Sequence, residues 1–128
     1  MKIAHVALWT RNLDAQMNFW QSIFGGQSNE RYVSQNRPGF ESHFITLDEG
    51  ATIELMTLPT LPDAPEAPEF VGWAHIALSV GTKQDVDRLA EQARANGTLL
   101  SAPRMTGDGY YEAVIADPDG NRVEIVGE

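Results

Sequence analysis

The sequence predicts an α+β fold built from two tandem βαβββ modules, and three observations lead there. Residues 4–8 read Ala-His-Val-Ala-Leu and return at 74–78 as Ala-His-Ile-Ala-Leu, an offset of 70. The same offset carries Ile53-Glu54-Leu55-Met56 onto Val123-Glu124-Ile125-Val126. Within each copy, one stretch of helical spacing is followed by alternating stretches punctuated by turn residues. A fixed-offset repeat sets the architecture before any single element does. A chain of 128 residues has the length of one domain. Halves of roughly 60 residues are marginal alone. The reading is therefore one domain over 1–128, with module 1 at 1–58, a linker at 59–72 and module 2 at 73–128.

Residues 2–9 alternate, with Ile3, His5, Ala7 and Trp9 on one face and Ala4, Val6 and Leu8 on the other, as in a strand. Asn12 or Asp14 can cap a helix running to about Phe24. Its Ala15, Phe19, Trp20, Ile23 and Phe24 follow helical spacing, and Gly25-Gly26 ends it. A strand over about 28–33 comes next. After the turn signal Asn36-Arg37-Pro38-Gly39, strands at about 42–48 and 51–57 meet at Asp48-Glu49-Gly50.

The second copy opens with a strand over 73–80 that includes His75. Thr82-Lys83-Gln84-Asp85 resembles a capping box and starts a helix to about Ala95. Leu89, Ala90 and Ala93 fall 70 residues after Phe19, Trp20 and Ile23, so the helix register repeats. Asn96-Gly97 ends that helix. Strands near 98–103, 110–116 and 122–127 follow, the last two joined at Asp117-Pro118-Asp119-Gly120. Between the copies, prolines at 59, 62, 65 and 68 make a stiff, extended linker.

Composition narrows the function. The chain has no cysteine, which excludes disulfides, thiolate-bound zinc and thiol nucleophiles. A net charge of -9 argues against a nucleic-acid partner, which basic patches would attract. No apolar run reaches the length of a membrane span or of a signal-peptide core. A soluble cytoplasmic protein is expected.

Strand parity singles out four residues. His5 points away from Val6 and Leu8, His75 away from Ile76 and Leu78, Glu54 away from Ile53 and Leu55, and Glu124 away from Val123 and Ile125. One His or Glu on a strand is usually a hydrogen-bonded or solvated residue. Two of each at equivalent positions, with carboxylates inside apolar strands, are costly unless paired or metal-bound. Two imidazoles and two carboxylates suit a borderline divalent ion and leave positions open for water or substrate.

With these motifs the chain resembles the vicinal oxygen chelate superfamily. That group includes glyoxalase I, bleomycin- and fosfomycin-resistance proteins, methylmalonyl-CoA epimerases and extradiol dioxygenases. The resemblance spans essentially the whole chain. It rests on His5, Ile-Glu-Leu at 53–55, Gly-x-x-His-Ile-Ala at Gly72–Ala77 and Asp-Pro-Asp-Gly-Asn-x-Val-Glu-Ile at 117–125. It implies paired βαβββ modules whose mixed sheets curl around a metal.

The set His5, Glu54, His75 and Glu124 is similar to that of bacterial glyoxalase I. It implies one divalent ion per site, Ni, Co or Zn ahead of Fe or Mn. It also implies proton transfer alpha to a carbonyl through a metal-bound enediolate, with Glu124 as the catalytic base and Glu54, across the metal, as the other candidate for that role. A homodimer with sites at or near the subunit interface is implied as well. The alternatives in the same superfamily are an extradiol-type dioxygenase, an epimerase or a non-enzymatic antibiotic- or metabolite-binding protein. Where glyoxalase I holds glutathione's charged ends, this chain has Trp9 and Leu58, so those two anchors are missing and the resemblance leaves glutathione use open.

Smaller expectations concern the surroundings. Trp9 shares the His5 face and is a candidate for the substrate pocket. Of Tyr110 and Tyr111, one should point into that pocket. His43 is read as a surface or packing residue, with hairpin register deciding its side. Arg11, Arg37 and Arg104 are candidates to receive a substrate carboxylate but are read first as solubilising.

Overall fold

A computed structural model describes all residues, Met1–Glu128, as two compact units, Met1–Ala64 and Pro65–Glu128. The first contains β1 (His5–Trp9), α1 (Leu13–Phe24), β2 (Gln27–Ser28), β3 (Tyr32–Val33), β4 (Glu41–Thr46) and β5 (Thr52–Thr57). The second contains β6 (Ile76–Gly81), α2 (Lys83–Ala95), β7 (Leu99–Met105), β8 (Tyr111–Ala116) and β9 (Arg122–Gly127). The α+β class and the repeated module are as expected, with an open mixed sheet and one helix in each unit.

In the first unit the sheet runs β1-β5-β4-β2, and β3 also pairs with β4. β1 and β5 are parallel, which the intervening helix makes possible; β4 and β5 form an antiparallel hairpin. The second sheet runs β6-β9-β8-β7 with the same pattern, β6 parallel to β9 and β8 antiparallel to it.

The helices form where their caps lie. The Asn12 side chain accepts from the Ala15 N–H at 3.0 Å. Past Phe24, Gly25 takes a left-handed φ of 68° and donates to Gln21, while Gly26 donates to Trp20, which closes α1 without a Cβ penalty. α2 begins with a complete capping box between Thr82 and Asp85. Those hydrogen bonds and the nearby Arg88 lower the Asp85 pKa.

Each helix covers the aliphatic face of its sheet. Leu13, Gln16 and Trp20 are buried with Ile45, Ile53 and Leu55 in the first unit. Val86, Leu89, Ala90 and Ala93 are buried with Ala113, Ile115, Val123 and Ile125 in the second. Each such Ile or Leu, fully removed from water, contributes about 1.5–3 kcal/mol. Gln16 sits in the first core because it accepts from the Trp20 indole N–H at 3.2 Å.

Three elements depart from expectation. The strand expected over 28–33 is two short strands. Asn29 breaks it, its N–H donating to the Phe44 carbonyl and its Oδ1 accepting from the Phe44 N–H at 2.7 Å. The strand expected over 73–80 begins at Ile76, so His75 lies just ahead of β6, whereas His5 opens β1. β7 extends to Met105, with register shifts on either side of Ser101; Pro103 is accommodated at the second of them, between Ser101 and Arg104, on an edge strand.

Candidate functional site

Sheet register puts one His–Glu pair on the helix-free face of each unit. Ala7 is the β1 neighbour of Glu54, and His5 lies two residues before Ala7 on the same face. The His5 Nε2 is 3.7 Å from Glu54 Oε2. Ala77 is the β6 neighbour of Glu124, and His75, two residues earlier, brings its Nε2 to 3.4 Å from Glu124 Oε2. The flanking Ile53, Leu55, Val123 and Ile125 are buried on the opposite, helix-covered face. In both units the carboxylate side chain is mostly covered, 17% and 16% exposed, while the imidazole is open, 49% and 42% exposed.

Both separations exceed the roughly 2.7–3.2 Å of a good hydrogen bond. The His75–Glu124 separation equals that of two donors on one ion at the tetrahedral angle, and the His5–Glu54 separation is wider. Ligands each about 2.1 Å from a metal stand about 3.0 Å apart at a right angle and about 3.4 Å apart at the tetrahedral angle. No group of three or more His, Asp or Glu side chains able to hold an ion comes together. Each unit presents one His–Glu pair.

The surroundings of the two pairs differ. In the first unit Phe44 is directly opposite Glu54 and meets the His5 ring edge-on, centroids 5.7 Å apart. Trp9, four residues along β1, lies on the same face beside Met56 and is 42% exposed. It meets Phe40 at 6.1 Å, and the Arg37 guanidinium lies over both rings.

In the second unit the residue opposite Glu124 is Val114, and the next residue on that face of β8 is Glu112. Glu112 is buried and receives an Arg104 Nη2 hydrogen bond at 3.4 Å. Burial first, then the charge of Glu124 and a hydrogen bond with it, raise the Glu112 pKa; Arg104 opposes the rise. Sequence reading missed Glu112. Its signal was available: a Glu on an apolar strand with the parity of Val114, which the β8–β9 hairpin pairs with Glu124.

The remaining candidates separate. Tyr111 shares the parity of Ala113 and Ile115 and turns to α2, where its hydroxyl donates to Asp87 at 2.5 Å and Lys83 lies over its ring. That contact with Asp87 raises its pKa. It thus faces away from the His75–Glu124 pair and is corrected as a pocket residue. Tyr110 precedes β8 and is 55% exposed, its backbone tied to Thr106.

His43 is opposite Leu55 and belongs to the helix side. It is buried with Nδ1 3.0 Å from Ser28 Oγ and 3.1 Å from the Asn29 carbonyl, and its Nε2 has no hydrogen-bond partner. Arg11 is bound to Asp63 and the Leu61 carbonyl, and Arg104 to Glu112; Arg37 forms no ion pair. Leu58 is half-buried just past β5.

Residues 2–125 match the family model described as the Glyoxalase/Bleomycin resistance protein/Dioxygenase superfamily. The chain belongs to that superfamily. It is also similar to an uncharacterized protein of Pseudomonas aeruginosa, 30% identical over 125 residues that cover 95% of this chain and 85% of the relative. Among solved structures, a glyoxylase/bleomycin resistance protein/dioxygenase domain from Frankia sp. superposes with a TM-score of 0.83 at 19% identity, covering 99% of this chain and 91% of that one. The trypanothione-dependent glyoxalase I of Leishmania major superposes with a TM-score of 0.76 at 17% identity, covering 100% and 87%. At these identities the structural matches speak for the fold alone. No helix is long and apolar enough to cross a membrane.

Proposed function

We propose that this superfamily member is a divalent-metal-dependent, glyoxalase-I-like enzyme that transfers a proton alpha to a carbonyl in a small substrate. One observation carries the reading. Two His–Glu pairs occupy equivalent sequence positions on the helix-free faces, with donor separations of 3.7 and 3.4 Å, the second equal to that of two ligands at the tetrahedral angle on one ion. In this reading His5, Glu54, His75 and Glu124 together hold one ion, and both modules serve one functional domain over 1–128. The set of two imidazoles and two carboxylates suits Ni, Co or Zn, with Fe or Mn as further candidates.

The ion, when bound, supplies positive charge that stabilises negative charge developing on substrate oxygen. The chain's own residues carry the proton. Glu124 removes it from the carbon alpha to the carbonyl and returns it to the neighbouring carbon. Glu54 is the second carboxylate. His5 and His75 act as neutral ligands. Glu112, next to Glu124 on the sheet and bonded to Arg104, positions the Glu124 carboxylate.

A cytoplasmic homodimer completes the reading. It is supported by exposed apolar side chains just ahead of each histidine: Ile3 before His5, and Phe70, Val71 and Trp73 before His75. The decisive experiment follows deuterium uptake from D2O into hemithioacetals and other alpha-hydroxy carbonyl compounds with Ni, Co or Zn supplied. The reading expects ion-dependent uptake that Glu124→Gln abolishes. Full uptake by Glu124→Gln with its ion retained contradicts the role of Glu124.

A further inference from the structure

We propose that Arg37, held over Trp9 and Phe40, forms a specificity-determining subsite for an aromatic carbonyl compound bearing a carboxylate. The proposal names the substrate class for the site read above and rests on that reading for the fate of the carbonyl.

The subsite lies within the first unit. Register puts Trp9, Met56, Ser42 and Tyr32 side by side across β1, β5, β4 and β3 on the face that carries His5 and Glu54. Phe40 closes the row, 6.1 Å from Trp9 and 6.3 Å from Tyr32, both edge-on. The Arg37 Cζ stands 5.7 Å from the Trp9 centroid and 5.8 Å from the Phe40 centroid. Trp9 and Tyr32 remain 42% and 54% exposed, so the aromatic surface is open to a ligand.

Charge makes this arginine unusual. The chain carries a net -9, and five of its seven arginines (Arg11, Arg31, Arg88, Arg94 and Arg104) pair with carboxylates. Arg37 and Arg122 do not, although acidic groups are plentiful, and of these two Arg37 alone lies over aromatic rings. A guanidinium stacked on aromatic rings keeps its edge N–H groups free to grip a carboxylate with two parallel hydrogen bonds.

The loop that carries Arg37 is built to hold it. The Arg37 N–H donates to Ser34 Oγ at 3.0 Å, the Phe40 N–H to the Arg37 carbonyl at 3.1 Å, and the Ser34 N–H to the Phe40 carbonyl at 3.0 Å. Gly39, at a φ of 83°, lies against the Pro59 ring in space a Cβ would need. Ordering the loop in advance lowers the entropy lost on binding.

Spacing fixes the ligand's shape. The row of Met56 is two residues along β5 from Glu54, about 7 Å. A ring lying against Trp9 with its carboxylate on Arg37 therefore presents a substituent on its far side to the His5–Glu54 pair. That substituent is the reacting carbonyl.

Calorimetric titration of the full chain with 4-acetylbenzoate, acetophenone and cyclohexanecarboxylate, each with and without divalent ion, tests the subsite. Expected is binding of 4-acetylbenzoate at least about tenfold tighter than either of the other two. Arg37→Gln and Trp9→Ala, shown folded by unchanged melting, each weaken it about tenfold or more, and Arg37→Lys recovers part of the loss. The Arg37 effect persists after the ion is chelated. Arg37→Gln and Trp9→Ala within twofold of wild type, equal binding of acetophenone or cyclohexanecarboxylate, or no binding of 4-acetylbenzoate up to roughly 10 mM overturns the proposal. Failure of the proton-transfer reading looks different: binding intact and Arg37-dependent, with no ion retained and no deuterium uptake.

Discussion

The two units carry a matching His–Glu pair, with His5 opening β1 and His75 just ahead of β6, and surround it with different chemistry. Beside Glu54 stand Phe44 and, one row on, Ser42; at the matching positions beside Glu124 stand Val114 and Glu112. The first unit offers aromatic surface and one unpaired arginine. The second offers a second carboxylate, buried and bonded to Arg104. A duplicated scaffold thus keeps the His–Glu pair and lets the neighbouring row diverge. On this account the first unit grips substrate and the second handles the proton.

The largest effect should come from exchanging the two glutamates' roles. With divalent ion supplied at saturation, Glu124→Gln should slow deuterium uptake by about a thousandfold, within the range for a lost general base, and Glu54→Gln by distinctly less. Equal losses would remove the division of labour. Next in size is the core beneath each pair. Leu55→Ala and Ile125→Ala, both fully buried, should each lower unfolding free energy by about 2–5 kcal/mol in urea melts. A large difference between them would show that one unit dominates stability.

The helix caps test the comparison at about 1 kcal/mol. Thr82→Ala removes half of a capping box, whereas Asn12→Ala removes a single capping hydrogen bond, so the first should cost slightly more in thermal melts. The smallest effect is a slope. Glu112 keeps its proton to higher pH in the folded chain than in the unfolded one, so the folded chain binds more protons between those values and stability falls as pH rises. The contribution is fully present below about pH 4.5 and is lost as pH rises through the raised value. Denaturant titrations of the metal-free protein should show this fall in wild type and not in Glu112→Gln.

Most of the architecture was legible because the repeat and strand parity both act through backbone geometry. His5 and Glu54 could be placed on one face from their neighbours alone, and both helix starts from their capping residues. What escaped was decided by contacts distant in sequence. Asn29 splits a strand through its two hydrogen bonds to Phe44. His43 and Tyr111 take the helix side because the hairpin registers pair one with Leu55 and carry the other in phase with Ala113. Arg37 over Trp9 joins residues 28 apart through a loop closed by Ser34 and Phe40. Glu112 was passed over because Tyr-Glu-Ala at 111–113 reads like any half-exposed strand until Glu124 is placed beside it.

Metal content tests the central claim most directly. Elemental analysis and ion titration would be run on wild type and on His5→Ala, Glu54→Gln, His75→Ala and Glu124→Gln, with His43→Ala as a control from the opposite face. The account predicts one divalent ion per chain in wild type and in His43→Ala. It predicts affinity weakened at least about a hundredfold in each of the four others, more than the loss of a group that merely hydrogen-bonds a ligand costs. Wild type that binds no Ni, Co, Zn, Fe or Mn ion, or four variants that bind as tightly as wild type, would contradict it.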